Sequence, residues 1–374
     1  MNKFICIISL SNIAHDSRVL RQVEYLSRKF DLHVIGFGEC PNEYTGKNNI
    51  YWHQIPRPKI SILRILYTIL NRFLIIPLFP RMHPAYQIAV DCQCDVYHVN
   101  NWDSLPLGSL AARKFNSEVV LDLHESFDSW YWGLSSVLVK FVLRKYISDV
   151  TFSTTVVDAL AQQHRKLGYE PHIIRNIPSL PSMPINFHKT NPNRIRLIYH
   201  GIAAQERSTD LLIRTLALCD KRYELHLVLV NHNARYVSKL RELAHQIAPG
   251  RVTFYPPLKP QEIVQGISRF DVGFYPLIPS NYNNLIALPN KLFEFIAAGL
   301  AVCIGPSPSM EKIVKDYRCG VVASSFEPEI IADLLKEMSA EDWDKMKHAS
   351  LEAARELNAE HEMRKLLELY ARNM

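Results

Sequence analysis

What most constrains this chain is a rhythm that occurs twice. Short, uninterrupted apolar runs alternate with amphipathic stretches long enough to be helices. In the first half, Phe4–Leu10, Leu32–Phe37, Val96–Val99 and Val119–Leu121 read as strands, and Ser17–Phe30 and Leu105–Phe115 as helices. Along Ser17–Phe30 the residues Val19, Val23, Leu26 and Phe30 recur on one helical face. In the second half, Arg194–Tyr199, Leu225–Val230, Val252–Tyr255, Val272–Phe274 and Val302–Ile304 are the strand candidates. Helices fit at Asp210–Leu218, Val237–Ile247, Pro260–Ser268, Asn290–Ala298 and, last, about Glu360–Arg372. Strands that are apolar along their whole length are covered on both faces, the habit of parallel sheets wrapped by helices. Between the two halves, Asn176–Pro192 carries Pro178, Pro181, Pro184 and Pro192 and no period, which reads as a linker.

The expected architecture is α/β, with two Rossmann-like parallel-sheet domains facing each other across a cleft at the carboxyl ends of their strands. Residues 1–178 form the first, 179–192 the linker and 193–355 the second, with a terminal helix at about 356–374 free to pack back on the first. The length of 374 residues suits two domains at roughly 100–200 residues each. With 48% apolar and 21% charged residues, disorder, collagen and coiled coil are excluded. A net charge of +6 is too small to argue for nucleic acid but is compatible with an anionic substrate or surface. The seven cysteines are scattered, and the close pair Cys92 and Cys94 alone does not make a zinc site, so a reduced, cytoplasmic protein is expected. The apolar start, Phe4 to Ile8, reads as a buried strand rather than a signal peptide.

One segment departs from the rhythm. From Glu43 to Asp91 no acidic residue intervenes, while Lys47, Arg57, Lys59, Arg64, Arg72 and Arg81 are basic. Within it, 60–79 is strongly apolar but interrupted by Arg64 and Arg72 and ended by Pro77 and Pro80. Spanning a bilayer takes about 20 apolar residues, so the expectation is a basic amphipathic stretch lying on an anionic membrane surface, with Arg57, Lys59, Arg64, Arg72 and Arg81 as its cations. The plainer reading is a helix packed on its own sheet. A second apolar and basic stretch, Val137–Tyr146, holds Lys140, Arg144 and Lys145.

The most informative run is Leu288-Pro289-Asn290-Lys291-Leu292-Phe293-Glu294, continuing through Ala297-Ala298-Gly299 to Val302. Proline suits a first helical turn, and the amides of Asn290 and Lys291 would then form an anion site with the helix dipole and the Lys291 charge. Glu294 stands one turn in, where a carboxylate can accept from a ribose diol. On spacing alone an ordinary helix explains the run equally well.

This run resembles the donor-binding helix of retaining glycosyltransferase family 4, of GT-B architecture, and is closest to its "slPnKlfEY…aGlPVv" members. The resemblance extends to Phe270–Leu277, the Asn283-Asn284 loop, Glu311–Val314 and Gly320, and in the first half to Asp16-Ser17-Arg18-Val19, Leu121-Asp122-Leu123-His124-Glu125 and Arg175-Asn176-Ile177-Pro178. It implies transfer of a sugar, with retention, from a nucleotide-sugar donor to an acceptor hydroxyl on a glycan or lipid-linked acceptor. The setting it implies is bacterial surface or capsular polysaccharide synthesis at the inner face of the cell membrane. Glu294 would bind the ribose, Asn290 and Lys291 the diphosphate, and Arg207, closing the loop that opens at Gly201, would be the second diphosphate cation. His124 would touch the transferred sugar or the acceptor, and Asp16 and Glu125 would position the acceptor.

Many family members carry a first glutamate where this chain has Ile286, so sugar recognition passes to Asn283 or Asn284. Position 202 is Ile where many have Arg. The lone Asp-x-Asp, Asp342-Trp343-Asp344, reads as a helix start, and no metal or cofactor is expected. Two rival functions stay open: a nucleotide-sugar epimerase of the same fold, and a non-catalytic membrane-associated member of a glycan-assembly complex.

Overall fold

The computed structural model describes residues 3–56, 61–124, 134–166, 168–181, 183–231 and 233–374. The chain divides into two compact units, the first comprising residues 1–175 and 363–374, the second 176–362.

The first unit is built on seven strands: β1 (Phe4–Asn12), β2 (Asp31–Phe37), β3 (Ile50–Gln54), β4 (Val96–Asn100), β5 (Glu118–Asp122), β6 (Val150–Thr155) and β7 (Pro171–Ile173). Their order is β3-β2-β1-β4-β5-β6-β7, every pairing parallel. β4 is buried along its whole length, as expected of a strand covered on both faces. β3 went unread because Tyr51, Trp52, His53 and Gln54 give it neither a continuous nor an alternating apolar pattern, as suits an edge strand. The last part of the helix Ala359–Asn373 belongs to this unit: the buried Tyr370 donates from its hydroxyl to, or accepts from, His98 Nδ1 at 2.5 Å and packs its ring against Phe30 and Phe152.

The second unit has six strands: β8 (Ile195–Ile202), β9 (Tyr223–Val230), β10 (Val252–Tyr255), β11 (Val272–Tyr275), β12 (Ala301–Ile304) and β13 (Gly320–Val322). The order is β10-β9-β8-β11-β12-β13, again all parallel. Gly273 of β11 lies against the ring of Phe295, where a Cβ would come within 2.2 Å, so the helix Asn290–Ala297 seats directly on the sheet. Buried Asp271 accepts from Arg196 and from Lys347, and Lys347 donates to the carbonyl of His188, which pins the proline-rich segment to this unit. The Asp342-Trp343-Asp344 motif is occupied structurally. Asp342 forms a capping box with Ser339, and Asp344 accepts from the Thr190 amide.

Among the described residues, no helix is long and apolar enough to cross a membrane. The helix Ser61–Leu70 nevertheless leaves Ile62, Leu63, Ile65, Leu66, Ile69 and Leu70 exposed, Ile62 to 69%. The same stretch also packs inward, with Tyr67 against the first unit's core and Asn71 and Ile76 buried.

Candidate functional site

In a doubly wound sheet, ligands bind beyond the carboxyl ends of the strands where the strand order reverses. In the second unit that point lies between β8 and β11, the first strand and its neighbour on the other side. β8 ends in Tyr199-His200-Gly201-Ile202, β11 ends in Tyr275, and the helix Asn290–Ala297 follows from the loop after β11.

Pro289 is the residue just before that helix: its backbone is extended and its carbonyl accepts from the Leu292 amide. Asn290 and Lys291 thus open the helix, in the turn whose amides have no acceptor within the helix. The Lys291 side chain runs across Gly201. A Cβ at Gly201 would lie 2.6 Å from both Cε and Nζ of Lys291, and the φ of +129° at this residue is one that side chains rarely adopt. Glycine is therefore required twice over. Lys291 Nζ stands 5.3 Å from the ring centroid of Tyr199 and 5.1 Å from that of Tyr275. Its pKa is pushed down to about 7, first by burial and then by the charge of Arg207, against the pull of Glu294. Arg207 is exposed at the end of the turn Gln205–Arg207, and its charge acts on both Lys291 and Tyr275. Two cations thus gather at one strand end, with two tyrosine rings between them and the core.

Glu294, one turn into the helix, has its Oε2 3.2 Å from His200 Nε2. Burial, and then Lys291, lowers the His200 pKa to about 3, so the imidazole is neutral. The structure therefore brings together Gly201, Arg207, Lys291 and Glu294, with Asn290 at the helix start. Asn283 and Asn284 lie on the single turn Tyr282–Leu285, where the Asn284 side chain donates to Ser280. Ile286 is buried, and its carbonyl accepts from Ser309, so its side chain offers nothing to a ligand.

In the first unit, His124 follows the end of β5. Its Nδ1 lies 3.7 Å from Oδ2 of Asp122, a fully buried carboxylate. Asp122 accepts from Arg18 at 2.5 and 2.7 Å, from Gln22 at 2.7 Å and from Thr154 at 2.9 Å. Burial alone would raise its pKa, but Arg18 and then His124 hold it well below the carboxylate range. Asp16 caps the helix Ser17–Leu26 by accepting from the amides of Arg18 and Val19, and Ser11 donates to its second oxygen. Glu125 lies outside the described residues, as do Arg57 and Lys59.

Of the expected membrane cations, Arg64 and Arg81 are exposed. Arg72 is instead turned inward, paired with Asp103 at 2.9 Å with its guanidinium near the Trp102 ring.

Tyr199, Tyr275, His200, Arg18 and Asp122 were not singled out as site residues from the sequence. The available signal was position: each tyrosine and His200 closes a strand at the reversal point, and Asp122 closes β5.

Residues 194–341 match the family model described as "Glycosyl transferases group 1", so the second unit carries a domain of that kind. No curated protein matches the chain. Among solved structures, HepE of Anabaena in complex with UDP and glucose superposes with a TM-score of 0.69 at 14% identity, covering 99% of each chain. Sucrose-phosphate synthase of Thermosynechococcus elongatus gives 0.73 at 14% identity, over 99% of this chain and 98% of that one. The E. coli structure titled "Trehalose-6-phosphate", bound with UDP-2-fluoro glucose, gives 0.64 at 11% identity, over 98% of each. At such identities the likeness is one of fold: two parallel-sheet α/β domains of the GT-B kind.

Proposed function

We propose that the protein transfers a sugar from a nucleoside diphosphate to an acceptor hydroxyl, with retention of anomeric configuration, in the synthesis of a bacterial surface or capsular polysaccharide. The observation that carries this reading is the crossing of Lys291 over Gly201 beside Arg207, at the first turn of a helix that also presents Glu294. A diphosphate ester needs what this corner offers: a helix amino terminus and two cations, with the Glu294 carboxylate one turn on, placed for a ribose diol.

In the reaction, the bond from the anomeric carbon to the diphosphate oxygen breaks, with its electrons going to the diphosphate. A new bond forms to the acceptor oxygen, whose proton passes to the departing phosphate. Arg207, Lys291 and the helix dipole offset the charge that grows on the leaving group, and such fixed electrostatics are commonly the largest catalytic term. They take the place a divalent ion would otherwise fill, so no metal or cofactor is assigned to this step. Asn290 and Glu294 hold the diphosphate and ribose, Asn283 and Asn284 the sugar, and His124, Asp16 and Glu125 orient the acceptor. UDP is the first nucleotide to test, because HepE was crystallised with it. Incubation with a UDP-sugar and a lipid-linked glycan should release UDP only when the acceptor is present, and Glu294→Ala should stop it in a folded protein. Interconversion of the donor without acceptor would favour an epimerase. Activity that survives Glu294→Ala would remove the site assignment.

The acceptor setting is proposed to be the cytoplasmic face of the membrane. The exposed apolar face of Ser61–Leu70, continued by exposed Leu74, Leu78, Phe79 and Met82 and flanked by Arg64 and Arg81, supports it. So do exposed Val137 and Phe141 beside Arg144 and Lys145 on the helix Leu134–Tyr146. Vesicles containing anionic lipid should sediment the protein, less so at high salt, whereas equal recovery on neutral and anionic vesicles would remove the electrostatic part.

A further inference from the structure

The sheet of the first unit gathers soft ligands on one face. The parallel register sets Cys6 of β1 beside His33 of β2, and His33 beside Tyr51 of β3. His53 lies two residues beyond Tyr51, and residues two apart on a strand share a face. The helix Pro84–Cys92 ends on this same face, bringing Cys92 Sγ to 3.8 Å from His53 Nε2. His33 Nδ1 is 2.9 Å from His53 Nε2. Among the described residues, His33, His53 and Cys92 are the one group of three or more His, Cys, Asp or Glu side chains whose donor atoms all lie within 4.8 Å of one another.

Those separations have a chemical meaning. Around a tetrahedral zinc ion, with Zn–N of about 2.0–2.1 Å and Zn–S of about 2.3 Å, neighbouring ligand atoms stand roughly 3.3–3.6 Å apart. The observed 2.9 and 3.8 Å bracket that value, so an ion can be seated by side-chain rotations without moving a strand. All three residues are half-buried, sheltered yet within reach of solvent. Nothing in the proposed transfer reaction uses this cluster, whose histidines lie in the body of β2 and β3 rather than beyond their carboxyl ends and whose cysteine ends the helix Pro84–Cys92.

We propose that His33 through Nδ1, His53 through Nε2 and Cys92 through Sγ bind a divalent transition-metal ion of the zinc class. Imidazole and thiolate together favour such an ion over magnesium or calcium. The two histidines bind as neutral rings, and Cys92 binds as thiolate, its thiol proton passing to solvent. The fourth position falls to water or to Cys6, a buried thiol that the strand register sets beside His33. The role is structural: the ion ties the edge strand β3 and its neighbour β2 to the end of the helix that covers them.

The test uses the full chain, reduced, stripped with chelator and titrated with Co²⁺. One equivalent should produce a thiolate-to-cobalt charge-transfer band with tetrahedral d–d bands, and Zn²⁺ should bleach both. Cys92→Ser should abolish the charge-transfer band, and His53→Gln should weaken binding at least tenfold. Cys219→Ser, a buried thiol of the second unit, should change neither. Cys6→Ser leaves the band at full intensity if water is the fourth ligand and reduces it if Cys6 is. Absence of the band, or its survival in Cys92→Ser, overturns the proposal. Should Cys92→Ser fail to fold, wild-type protein decides: one bound zinc and a Tm lowered by chelator support the site, and no zinc with an unmoved Tm rejects it. Neither outcome depends on glycosyl transfer.

Discussion

At the carboxyl end of the second unit's sheet, Arg207 and Lys291 stand together against two tyrosine rings, with the Lys291 charge held in check by its surroundings. At the corresponding end of the first unit's sheet the cation is Arg18, and it is consumed inside the fold by Asp122, with Gln22 and Thr154 completing the carboxylate's shell. The strand order around both reversal points is the same. One sheet end keeps positive charge in reserve for an anion, while the other pairs its Arg18 with Asp122 and has His124 at its edge. The topology supplies a place to bind. A few residues after each strand decide what is bound.

That contrast can be broken most severely in the first unit. Asp122→Ala strands the Arg18 guanidinium in the core, and removing one partner of a buried pair costs about 3–5 kcal/mol. Denaturant unfolding should show a loss of that size, and a loss below about 1 kcal/mol would mean the pair is not the anchor described. The wild-type contribution has a definite sign with pH. The folded pKa lies below the ordinary value, so the stabilisation is present above about pH 4 and fades as pH falls further.

The next effect falls on the second unit. Lys291→Ala should cut kcat/KM for the donor by about 10²–10³ while leaving the melting transition in place, because the lysine serves the ligand more than the fold. Gly201→Ala should raise the donor KM about tenfold and cost about 1–3 kcal/mol of stability, from the φ of +129° and the blocked path of Lys291. A normal KM would show that the lysine does not need that path. The smallest effect is on pH. With a pKa of about 7 in the free protein, Lys291 loses its charge as pH rises, and a nucleotide sugar carries no group titrating there. Donor affinity should fall above pH 7 by at most about tenfold per unit, and the fall should vanish in Lys291→Ala.

The sequence showed much of this where the physics is local. Continuous apolar runs placed most of the strands, and Val252–Tyr255 and Leu105–Phe115 coincide with their elements. It failed at β3, β6, β7 and β13, where a strand is half-polar, closes on a Ser-Thr-Thr run, is three residues long beginning with proline, or is opened by glycine. The helix of Lys291 and Glu294 was legible because its residues are consecutive. The Arg18 pair was not, since its partners are 104 residues apart and only pairing in space joins them. The cluster of His33, His53 and Cys92 was hidden for the same reason, its nearest sequence signal being the pair Cys92 and Cys94, only one of which takes part. Nor does the sequence show that Arg72 turns inward, since its partner Asp103 lies far along the chain.

A crystal structure of the chain grown with UDP tests the central claim most directly. The account predicts electron density for the diphosphate within hydrogen-bonding distance of Lys291 Nζ and the first turn of Asn290–Ala297, with the ribose at Glu294. UDP bound elsewhere, with Lys291 still lying across Gly201 and touching no phosphate, would contradict it.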